Sequence, residues 1–194
     1  MRAPLAGRRA RLIRIDLGSG RLQQELPLPQ VWQASPRPGP WLNKGPESLT
    51  ALGPGDLLLA AEAPLLQHQS ADGISLMRRR PGEGSARLGS GCGGTGRYDG
   101  LTELLALPTR QQLLGLRRGF EPRIGGRPAS AVPLPEPRGL RCSRSSAGTC
   151  GKGRSAAGQL GGHGAGPWLS DGRQTLVLAS DDNFNPLQSS WLQC

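Results

Sequence analysis

The chain has 194 residues and a formal net charge of +10, a length that suits one ordinary domain. Gly (30) and Pro (18) make up about a quarter of it, aromatic residues 4% and apolar residues 36%; typical soluble domains hold roughly 45–50% apolar residues, Gly included. A core can form from the Leu-rich segments but not from the whole length, and the many glycines raise the entropy cost of ordering the backbone.

No window approaches the roughly 18 apolar residues that a membrane-spanning helix needs. Residues 1–16 are basic but lack the apolar stretch of a secretory signal, so the chain as encoded reads as cytoplasmic. Arginines cluster at Arg2, Arg8, Arg9, Arg11 and Arg14, at Arg78, Arg79 and Arg80, and at Arg117 and Arg118. They attract anionic polymers without specificity. No aromatic platform for base stacking interleaves with them, so no specific nucleic-acid partner is expected. Cys92, Cys142, Cys150 and Cys194 form no C-x2-C pair, which argues against zinc. His68 and His163 lack metal-ligand spacing, and there is no G-x-S-x-G elbow. The glycine cluster around Gly94-Thr95-Gly96 lacks the Lys and Ser/Thr of a phosphate-binding loop.

In chain order, residues 11–17 alternate as a strand, Gly18-Ser19-Gly20 turns, and residues 21–26 return, predicting a β-hairpin. Pro27, Pro29, Pro36, Pro38 and Pro40 make a stiff connection, with Trp32 and Trp41 packing at its ends. Residues 48–52 read as a strand, Gly53-Pro54-Gly55-Asp56 as a turn, and residues 57–62 as the next strand. Glu62 follows directly on the apolar run. A polar loop covers residues 67–73, and residues 74–80 read as an outer strand. Residues 81–100 are Gly-rich and weakly patterned. Residues 101–107, Pro108-Thr109-Arg110 and residues 111–116 read as strand, turn, strand.

From Glu121 to Gly166 the patterning collapses. Residues 138–162 are Arg, Ser, Gly and Ala with no apolar face, and are expected to be disordered. Gly161-Gly162-His163-Gly164 reads as a flexible loop. Then Asp171-Gly172-Arg173-Gln174 turns, and residues 175–180 form an apolar strand. Asp181-Asp182-Asn183-Phe184-Asn185-Pro186 follows at once. Two carboxylates and two amides crowd this strand end, which makes it the leading site candidate. "Turn, apolar strand, carboxylate" occurs at Glu62 and again at Asp181, which suits a propeller-like array. Carboxylates gathered at strand ends can hold a hard cation such as Ca²⁺.

Four stretches carry a family resemblance: Asn43-Lys44-Gly45-Pro46-Glu47-Ser48-Leu49, then Ala60-Ala61-Glu62-Ala63-Pro64-Leu65, then residues 101–107 running to Arg118-Gly119-Phe120, and finally Gly166-Pro167 with Asp171-Gly172-Arg173 and residues 176–186. In order and spacing they resemble the "esterase-like activity of phytase" family, which is similar to calcium-dependent β-propeller phytases. The resemblance implies an all-β fold, a partial β-propeller-like array of antiparallel sheets, interrupted here by long disordered Gly/Arg/Ser-rich segments. It divides the chain into an N-terminal β part (1–137), a low-complexity basic linker (138–162) and a C-terminal β motif (163–194). At about 40–45 residues per blade the chain holds at most four blades, so a partner could supply missing ones.

The implied activity is metal-assisted hydrolysis of a small phosphate or carboxylic ester. Ca²⁺ would bind phosphate oxygens, offset charge on the transferring group and activate a water. The implied metal ligands are Glu47, Glu62, Glu103, Asp181, Asp182 and Asn183, and the implied catalytic residues Asp181, Asp182 and Glu62. Family members are often exported. The chain departs from the family pattern at Arg117 or Arg118, where an acidic residue is expected. It departs again at Gly161-Gly162-His163, which replaces an Asn-x-Glu-Gly pattern. A non-catalytic propeller-like binding module and a truncated remnant without activity therefore stand beside the hydrolase.

Overall fold

A computed structural model describes residues 10–33, 39–40, 44–66, 74–82, 85–90, 99–107, 112–121, 125–134, 148–150, 159–181 and 191–193. The first sheet is a hairpin of β1 (Leu12–Ile15) and β2 (Leu22–Leu26). Its turn is built by Asp16, whose Oδ1 accepts from the Ser19 N–H at 2.8 Å and the Ser19 hydroxyl at 2.7 Å. Such local side-chain acceptors are what make Asp and Ser turn formers. A single 3-10 turn, Gln30–Trp32, follows and buries Trp32 to 1% exposure.

The second sheet is a four-stranded meander of β3 (Pro46–Gly53), β4 (Asp56–Ala61), β5 (Ser75–Arg79) and β6 (Ser85–Ser90). Gly55 turns β3 into β4 at φ 70°, a left-handed conformation that costs glycine little. The segment expected to be an outer strand is β5, and it lies inside the sheet between β4 and β6. The weakly patterned residues beyond it supply β6, the outer strand.

The third sheet runs β7 (Asp99–Leu107), β8 (Gln112–Glu121), β9 (Gly125–Leu134) and β10 (Gly148–Cys150). The fourth has β11 (Gln159–Trp168), β12 (Gln174–Asp181) and β13 (Trp191–Gln193). All pairings in the four sheets are antiparallel. The stretch 138–162, expected to be disordered, thus contributes β10 and the first residues of β11; the rest of it lies outside the described residues. Ladder bonds come from the backbone, so a segment without an apolar face can be a strand when its neighbour supplies the partner.

Alternation along β4 decides how the sheets stack, because successive strand residues face opposite sides. Leu58 and Ala60 join Ile74, Leu76, Leu101, Leu104 and Leu113 in a cluster between the second and third sheets. Leu59 and Ala61 join Leu12, Trp32, Leu65 and Met77 in a second cluster, under the β1–β2 hairpin. The second sheet is therefore covered on both faces. The leading strands of successive meanders meet: β3 contacts β7, and β7 contacts β11. The Ala106 N–H donates to Thr50 Oγ1 at 2.9 Å across the first of these junctions. Stacked meanders with their first strands innermost form an open, propeller-like array, all-β and not closed into a barrel.

Candidate functional site

The structure distributes the described sequence-derived carboxylates over the second, third and fourth sheets. Glu47 is the second residue of β3 and is exposed. Glu62 directly follows β4 where Ala61 pairs with Pro46 at the start of β3. Glu103 sits in β7, whose Leu101 N–H donates to the Glu62 carbonyl at 3.0 Å. Asp181 ends β12 opposite Gln159, the first residue of β11. Asp182 and Asn183 lie outside the described residues, as do Trp41, His68 and the polar loop at 67–73.

Glu62 is 6% exposed. Its N–H donates to the Gly45 carbonyl at 3.0 Å, and its Oε1 accepts from the Lys44 ammonium. The carboxylate rests against the Gly100 backbone: a Cβ there would stand 2.5 Å from Oε1 and 2.6 Å from Cγ. Only a residue without a side chain leaves that seat open. Lys44 belongs to a motif that carried the resemblance, yet its role is invisible in sequence because pairing needs the β3–β4 register.

Glu103 is half-buried on the innermost strand of its sheet. Its Oε1 accepts from the Leu104 N–H at 2.9 Å. Burial pushes the carboxyl above its ordinary value of 4.5, against the opposing effect of backbone hydrogen bonds at Leu104 and Leu49. A Cβ at Gly162 would come within 3.8 Å of Oε2, so β11 passes beside it.

His163, next in the chain, is not in a loop. It lies in β11 opposite Leu178, with both ring nitrogens buried and without a hydrogen bond of good geometry. Burial holds it below its ordinary 6.5, opposed by the Leu114 backbone. Flanking glycines conceal such a residue, since they give no strand pattern.

A calcium site needs six to eight oxygen ligands around one point. Among the described residues no group of three or more His, Cys, Asp or Glu gathers in that way, and Glu62 already holds a cationic partner. The described donors therefore do not fit the cation that the resemblance implies. What they do offer is a half-buried carboxyl biased toward its protonated form and, separately, a buried ion pair.

Stacked antiparallel meanders whose first strands pack on one another define a propeller-like β protein. The family model "Phytase-like: Esterase-like activity of phytase" matches residues 7–134, and the chain belongs to that family. The match takes in Glu47, Glu62 and Glu103 but ends before β10, so the motif from Gly166 to Pro186 lies outside it. Comparison with curated proteins and with solved structures gives no match.

Proposed function

We propose that the chain is a hydrolase of small phosphate or carboxylic esters, with its chemistry at the end where β3, β7 and β11 begin. The observation that carries this reading is Glu103: a half-buried carboxyl on an innermost strand, shifted by desolvation toward the acid form. Carboxyls so shifted are suited to proton transfer near neutral pH. In this reading the protonated Glu103 donates to the departing alkoxide oxygen while water supplies the hydroxyl to the phosphorus or acyl carbon, and the proton that the water gives up returns through solvent to the Glu103 carboxylate. Proton donation matters most for poor leaving groups. An alkyl phosphate or alkyl ester should therefore depend on Glu103 more than the corresponding p-nitrophenyl compound.

The test is hydrolysis by the purified chain of glycerol phosphate, ethyl butyrate and their p-nitrophenyl counterparts, with calcium and with EDTA. Glu103→Gln is expected to lower the rate on the alkyl substrates about a hundredfold or more, with far-UV circular dichroism unchanged. An equal loss on both leaving-group types removes Glu103 from the acid role. A folded chain that cleaves none of the four substrates is a binding module instead. The Lys44 partner already held by Glu62 favours that second reading.

A further inference from the structure

Glu62 stands at the junction between the second and third sheets, tied to Gly45 and Lys44 on one side and to Leu101 on the other. Its N–H holds Gly45 and its carbonyl holds Leu101, each at 3.0 Å. Its side chain, 8% exposed, is paired with Lys44, whose side chain is 35% exposed. The bare backbone of Gly100 forms the floor, with no room for a Cβ. A buried carboxylate is costly unless it is paired and hydrogen-bonded. Something cationic must therefore occupy this position whenever the two sheets are stacked.

We infer that the Lys44 ammonium is the resident cation of this junction. It compensates Glu62 in place of a divalent ion, and the Lys44–Glu62–Gly100 unit locks the second sheet to the third without metal. Lys44 and Glu62 approach from either side of the β3–β4 pair, so the lock forms only once that register is set. A four-carbon ammonium arm reaches in from partly exposed backbone and leaves its charge at the carboxylate, as lysines do at partly buried sites. This inference does not depend on the hydrolase reading, since the lock would operate in a binding module as well.

Thermal unfolding by circular dichroism, in EDTA and in millimolar-range calcium, tests it with four proteins: wild type, Lys44→Met, Glu62→Gln and the double variant. Wild type is expected to unfold at the same temperature in both solutions. Lys44→Met should unfold well below wild type, because it strands a buried charge. The double variant should recover most of that loss, because it removes the charge that needed compensation. Gly100→Ala, which puts a methyl into the carboxylate's seat, should lower the midpoint regardless of calcium.

Two results would overturn the inference. One is a calcium-induced rise in wild type that Glu62→Gln abolishes, which makes Glu62 a metal ligand. The other is a Lys44→Met midpoint equal to wild type, which reduces the pair to a surface contact. If Lys44→Met does not fold, carbon-13 resonances of the wild-type glutamate carboxyls decide. A Glu62 signal unmoved by calcium upholds the ammonium as resident cation, and a saturable shift overturns it.

Discussion

Two carboxyls in this molecule respond to pH with opposite sign, and the reason lies in their immediate partners. Asp56 is gripped by Arg78 through Nε at 2.9 Å and Nη2 at 2.5 Å, which holds its carboxyl below the ordinary 3.8. A depressed folded value means that the unfolded chain binds the proton first. Its contribution is full above pH 3.8 and is lost as the pH falls through the folded value. Glu103 is the reverse. Its folded value is raised above 4.5, so its contribution is full below 4.5 and is lost as the pH rises through the folded value. Glu103→Gln should therefore stabilise the fold at neutral pH, by about 2–4 °C at most, and should leave it unchanged at pH 4. Asp56→Asn should destabilise it at neutral pH by about 1.5–3 kcal/mol and by little in strong acid. Urea midpoints across pH 3 to 8, a range that brackets the ordinary carboxyl values of 3.8 and 4.5, check both expectations. A Glu103→Gln midpoint below wild type at neutral pH would remove the burial penalty from the account, and with it the basis for Glu103 as an acid.

At the scale of elements, the fourth sheet meets the third through a histidine. His163 in β11 is held below its ordinary 6.5 by burial, with the Leu114 backbone of β8 as its partner across the junction. The unfolded chain takes up a proton at 6.5 and the folded one resists it, so stability is complete above 6.5 and falls as the pH drops from there through the folded value. His163→Leu should flatten that fall, seen as unchanged amide protection factors in β11 between pH 7 and 5.5, an interval that spans the ordinary histidine value of 6.5. An identical fall in the variant would assign the acid sensitivity to other groups.

This junction also shows where sequence reading stops. The β1–β2 hairpin, β4, β7–β8 and β12 were legible because their apolar residues alternate or run between turn formers. Glu62 and Glu103 were legible as candidates because each stands in or at the end of an apolar strand. The strands β9, β10 and β11 were not: Pro128 and Pro133 interrupt the first, and glycines fill the others. Their pairing is set by their neighbours, β8 for β9, β9 for β10 and β12 for β11, and a neighbour's ladder leaves no mark in a segment's own composition. For the same reason Lys44 and His163, which owe their surroundings to register, carried no pattern of their own.

For the whole molecule, the decisive feature is that one sheet serves two cores. Leu58, Ala60 and Leu76 face the third sheet, and Leu59, Ala61 and Met77 face the hairpin and Trp32. Residues on opposite faces of the same strands cannot be lost independently, because the ladder β3-β4-β5-β6 must survive for either face to exist. The hairpin should thus be an integral part of the cooperative unit, although two strands alone are marginal in water. Trp32→Ala is expected to cost about 3–5 kcal/mol and Leu76→Ala about 2–5 kcal/mol. Those are large fractions of the 5–15 kcal/mol typical of a domain. Each variant should shift one shared urea transition, with circular dichroism and tryptophan fluorescence coincident, since Leu76 and Trp32 draw on the same sheet. In a Leu12→Ala protein, which keeps Trp32 as the probe under the hairpin, a fluorescence change that precedes the circular dichroism transition would show a detachable hairpin. In that case the cluster of Leu58, Ala60, Ile74, Leu76, Leu101, Leu104 and Leu113 would by itself hold the second sheet against the third.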